Sequence, residues 1–361
     1  MRLAAFARGL GAQPTGRGFL AWLLIEDLSR LRPDWSILLL SGANPGLGNV
    51  DWSRGRGDGL VDEALLLLRG VATSVRRYGP DVFWSATHLV PFGLPARLPK
   101  IVTFHDAVWR DHPETMKTLN RLASRVGERG LFTADRILCN SRFTRDRLAA
   151  HWPSLADRAV VMHLAANPHF LMGVDPEPTL AKFRIHTPLI LNVDTVEPRK
   201  NLGVFLDCAD ALPEATFVQC GSLGWKVDGV IARARDMPNV RLLDYVDDDD
   251  LNALYLAASA AVFPSIYEGF HIPPLDALRL GCPVVVSDIP VHREVLGDAA
   301  RYAEPHDSSA FVLQLRSVLD DPNETRRLVA AGRERAREFS WRRAAEILAD
   351  TLEVLVAAET R

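Results

Sequence analysis

The chain is short of the features that would place a protein quickly. No apolar run approaches the roughly 18 residues that a bilayer-spanning helix needs, so no membrane span is expected. Its opening, Met1-Arg-Leu-Ala-Ala-Phe-Ala-Arg8, meets a charge before the apolar core of a leader peptide can form. The expectation is a chain that begins at or near Met1 and works in the cytoplasm. Only four cysteines occur in 361 residues, Cys139, Cys208, Cys220 and Cys282. They form no CxxC pair, which argues against a zinc site, and their apolar neighbours suggest buried, reduced thiols. Low-complexity tracts are lacking, as is a strong excess of one charge, the formal net charge being −3. The first half of the chain is mildly basic and the second acidic. That split suggests two bodies with different partners and is too slight to imply nucleic acid.

What is present is ordinary for a globular protein, with 48% hydrophobic and 24% charged residues. The length exceeds one comfortable core, so two domains are expected. Short apolar runs read as strands at 36–40, 81–84, 100–105, 136–140 and 159–163, then at 189–193, 216–220, 240–246, 260–264 and 283–287. Stretches of helical periodicity separate them, among them 19–31, 202–211 and 248–257. Strands alternating with helices imply an α/β protein with parallel sheets covered on both faces. Pro176-Glu-Pro178 reads as a linker, giving domains 1–175 and 176–361. From Ser340 a capped apolar stripe predicts one long terminal helix. In such folds ligands lie at the carboxyl ends of strands, here in a cleft between the domains.

Two stretches carry chemistry. Glu197-Pro-Arg-Lys-Asn201 sits between a strand and a helix, where Arg199 and Lys200 can grip phosphate with a fork and a point charge. A solvated Arg-Lys pair at a helix start is the plain alternative. Pro264-Ser-Ile-Tyr-Glu-Gly-Phe-His-Ile-Pro-Pro-Leu-Asp276 places Glu268 in a loop and Asp276 in the first turn of a following helix. Carboxylates suit pairs of sugar hydroxyls, and the backbone N–H groups of Phe270, His271 and Ile272 can add donors. For Asp276 alone, favourable placement at a helix N-terminus is sufficient explanation.

Together these stretches resemble glycosyltransferase family 4, retaining enzymes of the GT-B fold, in its Glu-Pro-Arg-Lys-Asn, mannosyltransferase-like subgroup. The likeness extends through Gly221-Ser-Leu-Gly-Trp225, Leu243–Leu251, Gly281–Ser287, Glu294–Asp298 and Phe339-Ser-Trp341. It implies two Rossmann-like doubly wound domains facing across a cleft. The first, 1–175, would bind acceptor and the second, 176–361, the nucleotide-sugar donor, leaving room for the terminal helix (about 340–361) to pack back on the first. Arg199 and Lys200 would hold the donor diphosphate, Glu268 the sugar hydroxyls and Asp276 the ribose. Gly221, with Tyr245 and Val246, would border the base. In the first domain, Thr103-Phe-His-Asp106 resembles the family's His-Asp element and would set His105 beside the transferred sugar. Thr15-Gly-Arg-Gly18 resembles its glycine loop, with Gly16 and Gly18 near donor and acceptor. Asn140-Ser141 looks like another strand end facing the cleft.

Three positions depart from the family pattern. Asp276 stands where Glu is usual, His271 where Gly is usual, and Asp194 where relatives have Arg or Gly. His271 therefore bears on donor choice, and Asp194 removes one phosphate cation. Asp247–Asp250 reads as a helix cap rather than a metal site. Lys117, Arg121, Arg125 and Arg129 recur every four residues and, on a helix, would face either solvent or anionic lipid.

The expected activity is transfer of a hexose-type sugar from a nucleoside diphosphate sugar, GDP-mannose preferred, to a hydroxyl of a glycan or lipid-linked acceptor. Configuration would be retained, with no cofactor and no metal, at the inner face of the membrane. A GT-B epimerase or phosphorylase, and a non-catalytic nucleotide-sugar-binding subunit, stay open as alternatives.

Overall fold

Alternating β-branched runs and periodic apolar stretches build parallel sheets layered with helices. The computed structural model describes residues 1–7, 10, 16–42, 44, 46–47, 49–54 and 70–359. The chain divides into two compact units. One comprises Met1–Ala107, Leu119–Leu164 and Ser340–Arg361, the other Val108–Thr118 and Ala165–Phe339.

The first unit holds β1 (Arg2–Ala7), β2 (Ser36–Ser41), β3 (Val50–Arg54), β4 (Val82–Ser85), β5 (Lys100–Phe104), β6 (Arg136–Cys139) and β7 (Ala159–Val161). They pair in parallel in the order β3-β2-β1-β4-β5-β6-β7. The alanine-rich β1 has little intrinsic strand preference and does not stand out in the sequence. Burial of Leu3 to Ala7 at the centre of the sheet decides its conformation. The terminal helix Trp341–Glu359 belongs to this unit and packs on the helix Gly16–Leu31. Ser340 Oγ accepts from the Arg343 amide at 3.1 Å, the expected cap. The buried stripe Trp341, Ala344, Ala345, Leu348, Ala349 and Leu352 follows helical spacing.

The second unit holds β8 (Leu189–Val193), β9 (Thr216–Cys220), β10 (Val240–Leu243), β11 (Ala260–Phe263), β12 (Val284–Ser287) and β13 (Arg301–Ala303). All pairings are parallel, in the order β10-β9-β8-β11-β12-β13. The run 240–246 leaves the sheet at Leu243 because the Gly221 amide engages the carbonyls of both Leu243 and Asp244. Pro176-Glu-Pro178 is not an extended linker. It opens the helix Glu177–Phe183, where a proline in the first turn sacrifices no helical hydrogen bond. Asp247 caps Asp248–Ala257 by accepting from the Asp250 amide at 2.9 Å, as the acidic run suggests. All four cysteines are buried free thiols.

Each sheet reverses its winding once, between β1 and β4 in the first unit and between β8 and β11 in the second. In open doubly wound sheets the carboxyl ends of strands at that reversal form the ligand crevice. In the second unit these are the ends that lead into Asp194 and into the loop holding Glu268.

Candidate functional site

The second unit's reversal point is shaped by backbone before any side chain reaches it. Asp194 follows β8, and its carbonyl lies 2.2 Å from where a Cβ at Gly221 would stand. With φ at +131° as well, Gly221 is required by this close approach of two backbones. Pro198–Lys200 form a 3-10 turn that ends in Asn201, in the left-handed region at φ 56°. Asparagine tolerates that conformation better than most residues. Its Nδ2 donates to the carbonyls of Pro264 (3.2 Å) and Pro305 (2.7 Å), fastening the turn beside the end of β11. The Ile266 amide adds a 2.9 Å bond to the Arg199 carbonyl. Arg199 and Lys200 thus arrive side by side, next to the Glu268 loop.

There the charges interlock. Arg199 Nε lies 2.5 Å from Glu197 Oε1, and its Nη1 lies 2.6 Å from Glu268 Oε2. Lys200 Nζ pairs with Asp194 and stands 2.7 Å from Glu268 Oε1. All but Arg199 are buried. Burial pulls the Glu268 carboxyl upward, but Arg199 and then Lys200 outweigh it and hold it well below the usual range. Burial likewise opposes ionisation of Asp194 and is overcome, with Lys200 the foremost counter-charge. At Glu197 burial prevails over Arg199, and its carboxyl sits above its ordinary value. Buried ion clusters are poor stabilisers when desolvation is counted, so one at a strand-end crevice points to function. Glu268 Oε1 meets Lys200 at 2.7 Å, and a carboxylate oxygen can accept a further hydrogen bond.

His271 completes the cluster at φ +73°, a left-handed conformation that costs a non-glycine residue about 1–2 kcal/mol. Its Nε2 lies 3.1 Å from Asp194 Oδ2 and 3.3 Å from Lys200 Nζ, and its Nδ1 lies 2.9 Å from His292 Nε2. The structure therefore gathers Arg199, Lys200, Glu268 and His271. Glu197 and Asp194 join them as counter-ions. The sequence displays Glu197 inside its motif, yet nothing there assigns it to Arg199. His292 carries no sequence signal at all, since only folding brings the helix Pro290–Leu296 against His271.

Other expected residues are placed differently. Asp276 lies in the helix Ile272–Leu280 but beyond its first turn, so helix-end electrostatics do not account for it. Its Oδ1 accepts from the buried Asn167 amide at 2.6 Å. Burial lifts its carboxyl to about 7 despite that bond and Arg279. Ile272 starts this helix, and Pro273 and Pro274 remove two of its free N–H donors. The Phe270 ring is buried edge-on against Phe339, at 5.7 Å between centroids. Tyr245 is exposed and Val246 half-buried in the turn held by the Gly221 amide.

In the first unit, His105 directly follows β5. Its Nε2 lies 2.7 Å from the Ala86 carbonyl, which can only accept, so Nε2 carries the proton. Gly16 and Gly18 start the helix Gly16–Leu31, whereas Thr15 lies outside the described residues. Ser141 caps the helix Arg142–His151 through a 2.9 Å bond from the Thr144 amide, and Asn140 is buried. The basic stripe does not hold together on one helix. Thr118–Thr133 begins after Lys117, which grips the Trp225 ring at 5.8 Å in the second unit. Arg121, Arg125 and Arg129 remain on the helix, Arg129 stacking on Phe92 at 4.5 Å.

Two Rossmann-like units, one with cations held at its reversal point, define a GT-B glycosyltransferase. Residues 181–335 match the model of glycosyl transferases group 1, and residues 52–170 that of Glycosyltransferase Family 4. Over 297 residues the chain is 34% identical to the O-antigen chain mannosyltransferase B of Escherichia coli, covering 78% of this chain and 77% of that protein. The chain belongs to this family of glycosyltransferases. Solved structures agree in fold. Sucrose-phosphate synthase from Thermosynechococcus elongatus superposes with a TM-score of 0.80 at 18% identity, covering 99% of this chain and 100% of that one. HepE of Anabaena, in complex with UDP-glucose, gives 0.78 at 16% identity, covering 98% and 100%.

Proposed function

We propose that the chain transfers a hexose-type sugar, with mannose from GDP-mannose preferred, from a nucleoside diphosphate sugar to a hydroxyl of a glycan or lipid-linked acceptor in polysaccharide assembly. The observation that carries this reading is the pairing of Arg199 and Lys200 with Glu268 at the reversal point of the second sheet. The two cations face the charge that grows on a departing diphosphate. The remaining acceptor capacity of the Glu268 carboxylate is suited to a sugar hydroxyl. Asp276, near neutrality in its ionisation, offers the ribose an acceptor that protonation weakens. Gly221 with the Tyr245-Val246 turn is assigned to the base, and the backbone of Phe270, His271 and Ile272 to the donor. His105, with Gly16 and Gly18, is the first unit's contribution to catalysis and acceptor binding.

Identity with a mannosyltransferase over most of both chains supports the preferred sugar. The fold is one that holds UDP-glucose in the Anabaena protein. In this reading the sugar keeps its configuration: the acceptor attacks on the face that the diphosphate leaves, and a diphosphate oxygen takes the acceptor's proton. Arg199 and Lys200 supply the positive charge, so no metal is required.

The test is release of GDP from GDP-mannose, followed with and without EDTA. Turnover that persists in EDTA and is lost in Glu268→Ala and Lys200→Ala is expected. Strict metal dependence, or variants as active as the parent, would overturn the reading.

The helix Thr118–Thr133 suits a lipid-linked acceptor. Leu119, Leu122 and Val126 lie on one face at helical spacing, 65%, 58% and 56% exposed, flanked by Arg121, Arg125 and Arg129. An apolar strip edged with arginines fits an anionic bilayer surface. Co-sedimentation with phosphatidylglycerol vesicles should fall when the three arginines become Glu. No helix among the described residues is long and apolar enough to cross a membrane.

A further inference from the structure

One histidine nitrogen in the donor-side cluster faces two incompatible neighbours. The Ser287 carbonyl, 2.8 Å from His292 Nδ1, can only accept, so His292 Nδ1 carries a proton. His292 is fully buried, and burial keeps it neutral, with its pKa lowered to about 3. Its Nε2 is therefore a bare acceptor, and His271 Nδ1, at 2.9 Å, must donate to it. That leaves His271 Nε2. A bare Nε2 suits Lys200 Nζ at 3.3 Å but sets a lone pair against Asp194 Oδ2 at 3.1 Å. A protonated Nε2 suits Asp194 and repels Lys200. Which state holds depends on where Lys200 goes.

Lys200 has three donors and three neighbours in the ligand-free protein: Asp194, Glu268 and His271. A phosphate oxygen has to displace one. Glu268 keeps Arg199 at 2.6 Å if Lys200 turns away. Among the described residues Asp194, buried, would then keep only His271 within ion-pair distance, and a buried carboxylate without a counter-charge is strongly disfavoured. The groups facing His271 are Asp194 from the end of β8, Lys200 from the 3-10 turn, Glu268 from the loop after β11 and His292 from the helix Pro290–Leu296. The edge of Phe263 closes the remaining side, 5.3 Å between centroids. Among the described residues, Asp194 is the carboxylate in hydrogen-bond reach of Nε2.

We propose that His271 is a positioning residue that takes up a proton on Nε2 and replaces Lys200 as the counter-charge of Asp194 when a diphosphate draws Lys200 away. Binding of the diphosphate is thereby coupled to proton uptake by the protein, and Lys200 is released to the ligand without stranding Asp194. This rests on the reading that the cluster receives a nucleoside diphosphate. It also gives a reason for the histidine at φ +73°, where glycine would adopt the backbone freely. The balance is simple: one proton moves from solvent to Nε2, one Lys200–Asp194 ion pair is exchanged for a Lys200–phosphate pair, and no covalent bond changes.

The experiment is calorimetric titration of the full chain with GDP, and with UDP in parallel, at one pH in two buffers of different ionisation enthalpy. About one proton should be taken up per nucleotide by the native protein. His271→Asn, which tolerates the left-handed backbone, and Asp194→Asn, which removes the need for a counter-charge, should each bind with uptake near zero. For the native protein, Kd should weaken as pH rises, and this dependence should be absent from both variants. Binding without uptake, or equal uptake and equal pH dependence in native and variant proteins, would overturn the proposal. Failure of both nucleotides to bind would instead strike the donor-site reading, and this inference with it.

Discussion

The two units share a winding pattern and differ in what they bury at the carboxyl ends of their strands. The second places Asp194, Glu197, Lys200, Glu268 and His271, all buried, around the half-buried Arg199. The first follows β5 with a half-buried His105 whose ring is held by a backbone carbonyl. Under the proposed function, cations stored against carboxylates stay desolvated and in place until a diphosphate competes for them. A sheet end that meets neutral hydroxyls has no need of such a store. The difference makes the second unit sensitive to single charge deletions and the first tolerant of them.

Lys200→Ala is the harshest way to break that contrast. It leaves Asp194 and Glu268 buried with one cation fewer, and losing one partner of a buried pair costs about 3–5 kcal/mol. Chemical denaturation should show a loss of that size, together with loss of GDP binding. A drop below about 1 kcal/mol would mean that the carboxylates are not left unpaired, either because water reaches the cluster or because a proton on His271 replaces the lost charge. Gly221→Ala should come next. A Cβ there would sit 2.2 Å from the Asp194 carbonyl at a φ of +131°, so the β8 and β9 ends must separate. A residue forced into such a conformation costs about 1–3 kcal/mol. Thermal unfolding should register it, and GDP affinity should fall because Asp194 moves with its carbonyl.

Much of the second unit is legible before folding. Its strands β8 and β9 and the helices Leu202–Ala211 and Asp248–Ala257 follow directly from periodicity, because apolar runs buried on both faces are bounded by clear turn residues. Arg199, Lys200 and Glu268 sit in motifs whose loops are short and fixed. The first unit is harder to read. Its β1 is alanine-rich and its β3 polar, and in the second unit β13 is too short to stand out, so pairing partners decide them. The partners of the site are the least legible part. Asp194 reads as the loss of a cation, yet in the folded chain it is the carboxylate that holds Lys200. His292 lies 21 residues beyond His271 and meets it only through tertiary packing.

A milder substitution sharpens the contrast in charge. Asp276 has its carboxyl raised to about 7 by burial, against 3.8 when exposed. The folded state thus holds a proton that the unfolded chain has released across that window. Its contribution to stability is fully present below about pH 4 and is lost as pH rises toward 7, with a slope of at most about 1.4 kcal/mol per pH unit. Asp276→Asn keeps the shape and the acceptor for the Asn167 amide but cannot ionise. Denaturation curves between pH 4 and 7 should therefore flatten relative to the parent. An unchanged pH slope would show that Asp276 ionises normally and that its pocket is wet.

The smallest effect on stability, and the most telling for the comparison, is expected in the first unit. His105→Ala removes the hydrogen bond from a half-buried ring to the Ala86 carbonyl, worth about 1 kcal/mol. If the second unit alone holds the diphosphate, GDP affinity in His105→Ala should match the parent. Transfer from GDP-mannose should nonetheless fall by about ten- to hundredfold, the range expected when one hydrogen bond to a group developing charge is lost. The same calorimetry and turnover assays that test Lys200 separate the two outcomes. A loss of GDP affinity equal to the loss of turnover would place His105 among the groups that hold the diphosphate, and the division of labour between the two sheets would then have to be given up.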